Sequence, residues 1–389
     1  MRYYLKRNIE EELKFSLEHF PVVAVLGPRQ CGKSTLIKEL SKNTEEFLYI
    51  DLQDFDNIEK LKEPSLFFKH NKNKTICLDE IQYRPELFNV LRSIIDSDRR
   101  NGRFIILGSA SRDLIKQSSE SLAGRISYIE LTPFLFSEIN EHIKEPLISL
   151  WYNGGFPESV LPENIIAGYK WRESFIRSFL ERDIPQLGFY IPPAVIGRLW
   201  KMCAHLHGQV LNYSKLGESL GVNHKTVKSY IDILSQTFMV RILPAYHNNI
   251  GKRLVKSPKL YIRDTGILTS LLSIKDFNDL MGHPVFGESW EGMVIENILS
   301  ELPDREGYFY RTSKGAEIDL VLERGMTRVA VECKASSAPS VSKGFYIAMD
   351  DLKIEEGYII APVKEEYPVK KNVWVVPLKV FIDKFKGIK

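Results

Sequence analysis

The sequence predicts an α/β protein in which a parallel-sheet domain is followed by two smaller modules. Three short apolar runs each end in small or polar residues, as buried parallel strands do: Val22–Leu26, Thr75–Leu78 and Phe104–Leu107. Two amphipathic helical segments flank Gly221-Val222. Two segments with strand-like alternation lie at 317–322 and 328–334. Along the chain, the apolar residues therefore first form continuous runs, then recur with the period of a helix, and finally alternate as in a strand.

The first apolar run leads directly into a glycine-rich segment with the spacing GxxxxGK[ST]. Glycines permit a turn whose backbone amides converge on an anion, and the helix predicted over Thr35–Leu40 adds its amino-terminal dipole. Lys33 is expected to reach the β- and γ-phosphates and Ser34 to bind Mg²⁺. The predicted ATP-binding residues are Gly27, Pro28, Arg29, Gln30, Cys31, Gly32, Lys33, Ser34 and Thr35.

The second apolar run ends in two carboxylates, Asp79 and Glu80. Ligands of open α/β sheets bind at the carboxyl ends of the strands, where these side chains are expected. Asp79 is predicted to hold Mg²⁺ through water, and Glu80 to polarise the attacking water. The alternative is an exposed acidic turn after a core strand.

The third apolar run is followed by Ser109, which is predicted to contact the γ-phosphate or the attacking water, with Ser111 as the alternate. A small-residue turn without function is the competing interpretation. Arg125 follows a tight turn and is predicted to stabilise charge on the transferred phosphoryl group, in cis or from a neighbouring subunit. A surface arginine at a helix end is the alternative there.

These segments resemble a group of archaeal and bacterial AAA-type ATPases in which a P-loop domain precedes a C-terminal domain of unknown function. The matching text is Gly-Pro-Arg-Gln-Cys-Gly-Lys-Ser-Thr, Leu-Asp-Glu-Ile-Gln-Tyr-Arg-Pro-Glu-Leu-Phe, Leu-Gly-Ser-Ala-Ser and Leu-Ala-Gly-Arg. The resemblance continues through residues 151–158 and 182–184. It implies ATP and Mg²⁺ as cofactors but defines no biological role. Leu107 departs from the pattern, since relatives more often have threonine there.

Composition excludes several classes of protein. The 389 residues are 44% hydrophobic and 26% charged with a net charge of +3, as in ordinary globular chains. No apolar stretch approaches membrane-spanning length, and the amino terminus lacks the apolar core of a signal peptide. The four cysteines are scattered (Cys31, Cys77, Cys203, Cys333), which argues against a zinc site or a disulfide framework. A cytoplasmic protein without a membrane partner is expected.

The predicted domains are an ATPase domain over 1–140, a helical linker over 141–194, a winged-helix module over 195–250 and a nuclease-like domain over 251–389. The linker contains a predicted helix from Trp171 to Leu187 whose buried face comprises Phe175, Ile176, Phe179 and Leu180. Arg182-Asp183 near its end is expected to form an interdomain ion pair or an ordinary exposed pair.

Residues 212–245 favour a winged helix. A serine-capped helix over Tyr213–Leu220 is followed by a turn and by a second helix that Asn223 caps. Val227, Ile231 and Leu234 are expected to point inward, while the outward face comprises His224, Lys225, Lys228 and Ser229. DNA contact and use as a rigid spacer or protein-binding module both stay open. Further positive charge follows in Arg241, Lys252, Arg253, Lys256, Lys259 and Arg263, although such runs are often only a solvated face.

The alternating segments near the carboxyl terminus resemble the PD-(D/E)xK nuclease core. Asp319 matches its aspartate, and Glu332-Cys333-Lys334 matches its ExK. The resemblance implies that Asp319 and Glu332 hold Mg²⁺ and that Lys334 activates water. Glu291 fits the additional metal-binding glutamate on an upstream helix, with Glu296 as the alternate, and Arg311 and Lys314 are candidates for phosphate contacts. A hairpin with a functionless cross-strand ion pair is the alternative.

The combined prediction is Mg²⁺-dependent ATP hydrolysis coupled to action on DNA or to DNA binding. The alternative function is a nucleotide-gated protein-interaction switch whose nuclease-like fold is inactive. Whether the chain forms a homo-oligomer stays open.

Overall fold

The computed structural model describes residues 4–42, 46–109, 122–162, 164–246 and 254–386. The chain forms two compact units. The first comprises Met1–Phe134 together with Gln236–Met239, and the second comprises Leu135–Ser235 together with Val240–Lys389. The first unit therefore includes a short segment that the sequence places within a later module.

The first unit contains a parallel five-stranded sheet with the strand order β2-β3-β4-β1-β5. Its strands are β1 (Val22–Leu26), β2 (Phe47–Asp51), β3 (Thr75–Asp79), β4 (Phe104–Gly108) and β5 (Ile126–Glu130). Every residue of β1 and β4 is buried, which explains why these strands are continuous apolar runs in the sequence. This architecture confirms the predicted α/β class and parallel sheet.

Helices connect these strands: α1 (Glu10–His19), α2 (Lys33–Ser41), α3 (Phe55–Lys60), α4 (Pro64–His70) and α5 (Leu87–Ser97), with a 3₁₀ turn at Ile81–Tyr83. The apolar face of α5 buries Leu91, Ile94 and Ile95 in the same core as alternate residues of β1. Phe238, from the segment Gln236–Met239, belongs to that core. The helix after the glycine-rich loop begins at Lys33, two residues earlier than the sequence predicts.

The second unit begins with helices, which are α6 (Phe136–Ile139), α7 (Pro146–Asn153), α8 (Pro157–Val160), α9 (Ile165–Ser178), α10 (Ile184–Gln186) and α11 (Pro193–His205). A π-helical turn, Phe179–Asp183, separates α9 from α10, so the predicted helix is longer and interrupted. Phe175 and Phe179 are buried as predicted, whereas Ile176 and Leu180 are only half-buried. Arg182 pairs with its neighbour Asp183, with 3.1 Å between Nε and Oδ1.

Next come a two-residue strand, a pair of helices and two further strands: β6 (Gln209–Val210), α12 (Tyr213–Leu220), α13 (His224–Gln236), β7 (Val240–Leu243) and β8 (Lys259–Ile262). The strands form an antiparallel sheet in the order β6-β8-β7. The side chain of Asn212 accepts from the Lys215 amide and caps α12, so the predicted serine cap is wrong. Asn223 accepts from the Thr226 amide as predicted.

The remaining chain forms a mixed six-stranded sheet in the order β13-β14-β12-β11-β10-β9. The strands are β9 (Glu306–Arg311), β10 (Glu317–Arg324), β11 (Thr327–Cys333), β12 (Gly357–Ile360), β13 (Tyr367–Lys370) and β14 (Val373–Val376). The helices are α14 (Thr265–Leu271), α15 (Phe277–Met281), α16 (Phe286–Glu301), α17 (Lys343–Leu352) and α18 (Leu378–Lys386). All four cysteines are buried free thiols. Across the described ranges, no helix has the length and apolar character needed to cross a bilayer.

Candidate functional site

The parallel direction of the first sheet brings three predicted segments to one edge. The glycine-rich loop follows β1, Asp79 ends β3, and Ser109 follows β4. Since β1, β3 and β4 are neighbours in this sheet, their carboxyl ends meet there. Ligands of open α/β sheets bind at such an edge. Ser111 lies outside the described residues.

The glycine-rich loop is held by its own lysine. Gly32 has a φ of 105° immediately before α2, a conformation that strongly favours glycine. A Cβ at Gly27 would lie 2.0 Å from the carbonyl oxygen of Leu131, so the backbone approaches too closely for a side chain. The buried Lys33 ammonium donates to the carbonyls of Gly27 and Pro28 at 2.9 and 2.8 Å. The loop therefore places a cation at the amino terminus of α2.

The two predicted Mg²⁺ residues of this edge are in contact. The Ser34 hydroxyl donates to Oδ2 of Asp79 at 2.7 Å, and the backbone amide of Glu80 donates to Oδ1 at 2.8 Å. Tyr49 on β2 donates its hydroxyl to Oδ2 of Asp79 as well. Burial raises the pKa of Tyr49, and the Asp79 carboxylate raises it further. Hydroxyl and carboxylate oxygens are the ligands that Mg²⁺ prefers, so these residues fit the ion.

The remaining polar groups surround Glu80. Its φ of 58° lies in the left-handed region, a strained conformation of the kind that clusters at functional sites. Gln82 donates to Oε2 of Glu80 and, at 2.9 Å, to the Ser109 hydroxyl, which is 3.2 Å from the same Oε2. Arg29 approaches Oε1 of Glu80 at 3.8 Å. The candidates Glu80 and Ser109 are therefore joined through Gln82, which the sequence analysis missed although it follows Asp79-Glu80-Ile81.

Arg125 lies at the opposite edge of the sheet. It precedes β5, and its carbonyl accepts from the amide of Val22 at the start of β1. Its guanidinium pairs with Asp96 on α5 at 2.7 Å. Because the strands are parallel, the amino edge and the phosphate-binding edge are separated by the length of a strand. The structure therefore does not bring Arg125 to the glycine-rich loop of its own chain, and the predicted cis role is wrong.

Arg7 supports the loop from behind and was also missed. Its guanidinium donates to the carbonyls of Cys31 and Thr132 at 2.9 and 2.7 Å and lies 4.5 Å from the ring centroid of Phe134. The side chain is buried. A buried arginine that satisfies loop carbonyls fixes the path of the backbone, because leaving those groups unpaired is costly. The sequence offered no signal for the contact between Arg7 and Thr132, because the two residues lie near opposite ends of the first unit in sequence.

In the second unit the residues that the sequence predicts for a nuclease-like site converge on one sheet face. The β10–β11 register pairs Leu320 with Val331, which extends to set Asp319 opposite Glu332. The Cys333 amide donates to Oδ2 of Asp319 at 2.9 Å, and the Lys334 ammonium lies 2.6 Å from Glu332. Burial raises the pKa of Glu332 to about 8, with a further contribution from the charge of Asp319.

Lys259 on β8 also enters this cluster. Its ammonium lies 2.9 Å from Glu291, 3.1 Å from Glu317 and 3.7 Å from Asp319. The Tyr261 hydroxyl donates to Glu291. Burial raises the pKa of Glu291 to about 7, and Asp319 adds to the effect while Lys259 opposes it. Lys259 therefore faces carboxylates, and its predicted place in a positively charged surface is wrong.

Two more of the predicted surface charges are internal. Arg241 and Arg263 both bind Glu296 on α16, at 2.7 and 2.6 Å. Burial favours the neutral acid, but the two arginines together lower the pKa of Glu296 to about 2. Glu296, the alternate metal residue, is thus held by arginines. Lys256 is exposed, and Lys252 and Arg253 lie outside the described residues.

The other candidate contacts are at the surface. Arg311 lies 3.4 Å from Glu317, and Lys314 is exposed. Within the residues that the structure describes, no group of three or more His, Cys, Asp or Glu side chains is arranged to hold a metal ion. On α13 the predicted inward residues are buried, and the predicted outward residues are exposed: His224, Lys225, Lys228 and Ser229.

A parallel sheet with a GxxxxGK[ST] loop at its carboxyl edge, followed by a hydroxyl–aspartate pair, defines a nucleotide-binding protein of the P-loop class. A family profile described as an AAA domain matches residues 19–140. Two profiles described as domains of unknown function, DUF8612 and DUF4143, match residues 144–278 and 286–381. The AAA match supports nucleotide binding by the first unit.

The uncharacterized protein Rv2008c of Mycobacterium tuberculosis (strain H37Rv) is 38% identical over 372 residues, covering 96% of this chain and 83% of that protein. The chain belongs to the same family of AAA-domain proteins. Among solved structures, a STAND protein with a tetratricopeptide repeat sensor from Pyrococcus horikoshii has a TM-score of 0.33 at 12% identity, covering 76% of this chain and 49% of that one. A single-residue variant of Thermotoga maritima RuvB also has a TM-score of 0.33, at 16% identity, covering 62% and 90%. Likenesses this weak carry no argument about function.

Proposed function

We propose that this protein binds Mg²⁺–ATP at the carboxyl edge of its first sheet and hydrolyses it to ADP and phosphate. The observation that carries the proposal is the contact of Ser34 with Asp79 beside the buried Lys33 in its glycine-rich loop. Bound Mg²⁺ supplies positive charge that offsets the phosphate oxygens. Lys33 and the loop amides bind the β- and γ-phosphates, and Ser34 and Asp79 hold the ion.

Glu80 orients the water that attacks the γ-phosphorus. The bond between that phosphorus and its bridging oxygen breaks, and ADP leaves with the electron pair. Gln82 and Ser109 contact Glu80 and fix the direction of its carboxylate. This arrangement matches the need of phosphoryl transfer, which depends on positioning and on charge stabilisation.

A pair of variants tests the roles of water orientation and phosphate binding. Glu80→Gln leaves the loop intact, so ATP affinity by calorimetry should be kept while turnover falls at least about 100-fold. Glu86→Gln, an exposed glutamate in the same segment, is the matched control and should leave both unchanged. Loss of ATP binding in Glu80→Gln would show that this glutamate belongs to the phosphate site instead.

Coupling to DNA is proposed through the helices of the second unit. The order α11–β6–α12–α13–β7–β8 with an antiparallel β6-β8-β7 sheet supports a winged-helix module. The exposed face of α13 carries Lys225 and Lys228, which suit the phosphate backbone. The double variant Lys225→Glu/Lys228→Glu should weaken binding of duplex DNA and flatten its salt dependence, measured by fluorescence anisotropy. Lys215→Glu, exposed on α12, is the control, and equal effects would assign the binding elsewhere.

Arg125 is proposed to act from a neighbouring subunit, because Asp96 holds it at the far edge of its own sheet. A trans role predicts turnover that rises steeply with protein concentration. Mixing Arg125→Ala with Glu80→Gln chains should restore part of the turnover. A monomer with concentration-independent turnover would end this proposal. The alternative function, a nucleotide-gated interaction switch, predicts an ATP-dependent change in binding without cleavage of any DNA in a nicking assay with Mg²⁺.

A further inference from the structure

The carboxylate cluster of the second unit already contains a cation. Glu291, Glu317 and Asp319 direct oxygens at the Lys259 ammonium, within 2.9, 3.1 and 3.7 Å. A lysine ammonium has three donors and no acceptor. The Lys259 nitrogen is within hydrogen-bond distance of Glu291 and Glu317, and Asp319 adds an ion pair at 3.7 Å. Its side chain is only 4% exposed, and buried charges are stable only when paired in this way.

We infer that Lys259 is a permanent internal cation at the position where a PD-(D/E)xK nuclease would hold its divalent metal. The cluster then binds neither Mg²⁺ nor Mn²⁺. It acts instead as an ion-pair lock that joins the three-stranded sheet to α16 and β10. This inference rests on the resemblance to the PD-(D/E)xK core and concerns only that module, not the ATP site.

The charge of Lys259 opposes a second cation. Lys259 binds Oε1 of Glu291 and Oδ1 of Asp319, so an ion that coordinates both side chains would lie close to its ammonium. Inside a protein, a divalent ion and an ammonium repel each other strongly at short distance. The other carboxylates are also engaged, since Lys334 lies 2.6 Å from Glu332 and Arg311 lies 3.4 Å from Glu317.

Lys259 has little freedom to leave. It lies on β8, the central strand of its sheet, which pairs with β6 on one side and β7 on the other. Its ammonium also lies 5.6 Å from the ring centroid of Phe309. Tyr261, two residues further on the same strand, donates its hydroxyl to Glu291 and so holds the carboxylate that Lys259 binds. A strand in the middle of a ladder cannot shift one residue without turning every side chain to the other face.

A second set of ion pairs connects the same elements. Arg241 on β7 and Arg263 just after β8 bind Glu296, five residues beyond Glu291 on α16. Both glutamates that a nuclease helix would offer to a metal are thus used to attach the three-stranded sheet. The positive side chains on that sheet pair with the acidic side chains of α16. The positive set is therefore not available for phosphate, and the acidic set is not available for a metal ion.

The test is a titration of the nucleotide-free full-length chain with Mn²⁺, followed by electron paramagnetic resonance. Asp79→Asn is introduced throughout so that the ATP site does not contribute. Addition of Asp319→Asn should leave the number of bound Mn²⁺ ions unchanged. Loss of one Mn²⁺ per chain on Asp319→Asn would overturn the inference. This comparison leaves Lys259 in place and so does not depend on a cluster variant that fails to fold.

The complementary variant removes the internal cation. Lys259→Met in the same background should gain one Mn²⁺ per chain, and Asp319→Asn should abolish that gain. Lys256→Met, an exposed lysine three residues upstream, is the control and should gain none. A folded Lys259→Met chain that binds no additional Mn²⁺ would show that the Lys259 ammonium does not occupy the place of a metal ion. ATP turnover of the chain with Asp79 intact reports separately on the proposed hydrolysis.

Discussion

Lys33 and Lys259 are both buried lysines in predicted metal-binding regions, and their partners differ. Lys33 donates to the backbone carbonyls of Gly27 and Pro28, while nearby Asp79 accepts from the hydroxyls of Ser34 and Tyr49. Lys259 instead pairs directly with three carboxylates. A carboxylate with neutral donors keeps its charge for an added cation, whereas one paired with an ammonium is already neutralised. The comparison shows that residue type and spacing do not distinguish a metal site from an internal salt bridge.

The largest expected effect concerns Lys33. Lys33→Ala should weaken ATP binding about ten- to hundredfold, because charge-assisted hydrogen bonds contribute about 1.5–3 kcal/mol each. Turnover should fall at least as far. Calorimetry with ATP measures the affinity, and Lys42→Ala, an exposed lysine just after helix α2, is the control. An affinity that does not change would show that the glycine-rich loop is not the phosphate site.

The matching change at Lys259 should act on stability. Lys259→Met leaves Glu291, Glu317 and Asp319 without their shared cation, and breaking a buried ion pair typically costs about 3–5 kcal/mol. The free energy of unfolding of the second unit should therefore fall by that amount, measured by urea denaturation. ATP affinity should stay unchanged, since the phosphate site belongs to the first unit. A change in ATP affinity with unaltered stability would show that Lys259 serves the nucleotide site and is not a structural ion pair.

Acid should weaken the second set of ion pairs, in which Arg241 and Arg263 bind Glu296. Because Arg241 and Arg263 lower the pKa of Glu296 to about 2, its contribution is complete above the usual carboxyl pKa of 4.5 and is lost as pH falls towards 2. That difference corresponds to about 3 kcal/mol at ~1.4 kcal/mol per pKa unit. Urea midpoints between pH 5 and pH 3 should fall less in Glu296→Gln than in the wild type. The exposed Glu355→Gln serves as control and should follow the wild type.

The smallest expected effect is at Tyr49. Tyr49→Phe removes one of the two hydroxyls on Oδ2 of Asp79 and leaves Ser34 in place. A neutral hydrogen bond contributes about 1 kcal/mol, so ATP turnover should fall about three- to tenfold. Steady-state kinetics at saturating Mg²⁺ measure it. A loss as large as that of Ser34→Ala would mean that Tyr49 contributes as much to the site as the serine does.

The first site could be proposed from the sequence because its determinants are local. Strand, glycine turn and helix follow one another within about 20 residues, so Lys33 and Ser34 could be named from their spacing, and Asp79 from the apolar run that it ends, before any contact was known. Of the two roles predicted for Arg125, the one within its own chain is disfavoured for a topological reason. A tight turn is visible in the sequence, but the edge of the sheet on which it lies depends on the direction of β5.

The second site shows where sequence reasoning ends. The ExK strand and its partner were predicted from alternation, and Asp319 does lie opposite Glu332. Lys259 is separated from Asp319 by 60 positions, and its own strand β8 carries no motif. A lysine that pairs with buried carboxylates and one that faces solvent look identical in a sequence. Tyr49, Arg7 and Gln82 were missed for the same reason, since their partners are defined by tertiary packing.

The most direct test counts the Mn²⁺ ions that the full-length chain binds in the presence of saturating ATP, by electron paramagnetic resonance. If Asp79 holds the nucleotide-bound ion and Lys259 excludes one from the second unit, the chain binds one nucleotide-dependent Mn²⁺. That ion is lost in Asp79→Asn and kept in Asp319→Asn. An ATP-dependent ion that survives Asp79→Asn, or a second ion that disappears in Asp319→Asn, would contradict this expectation.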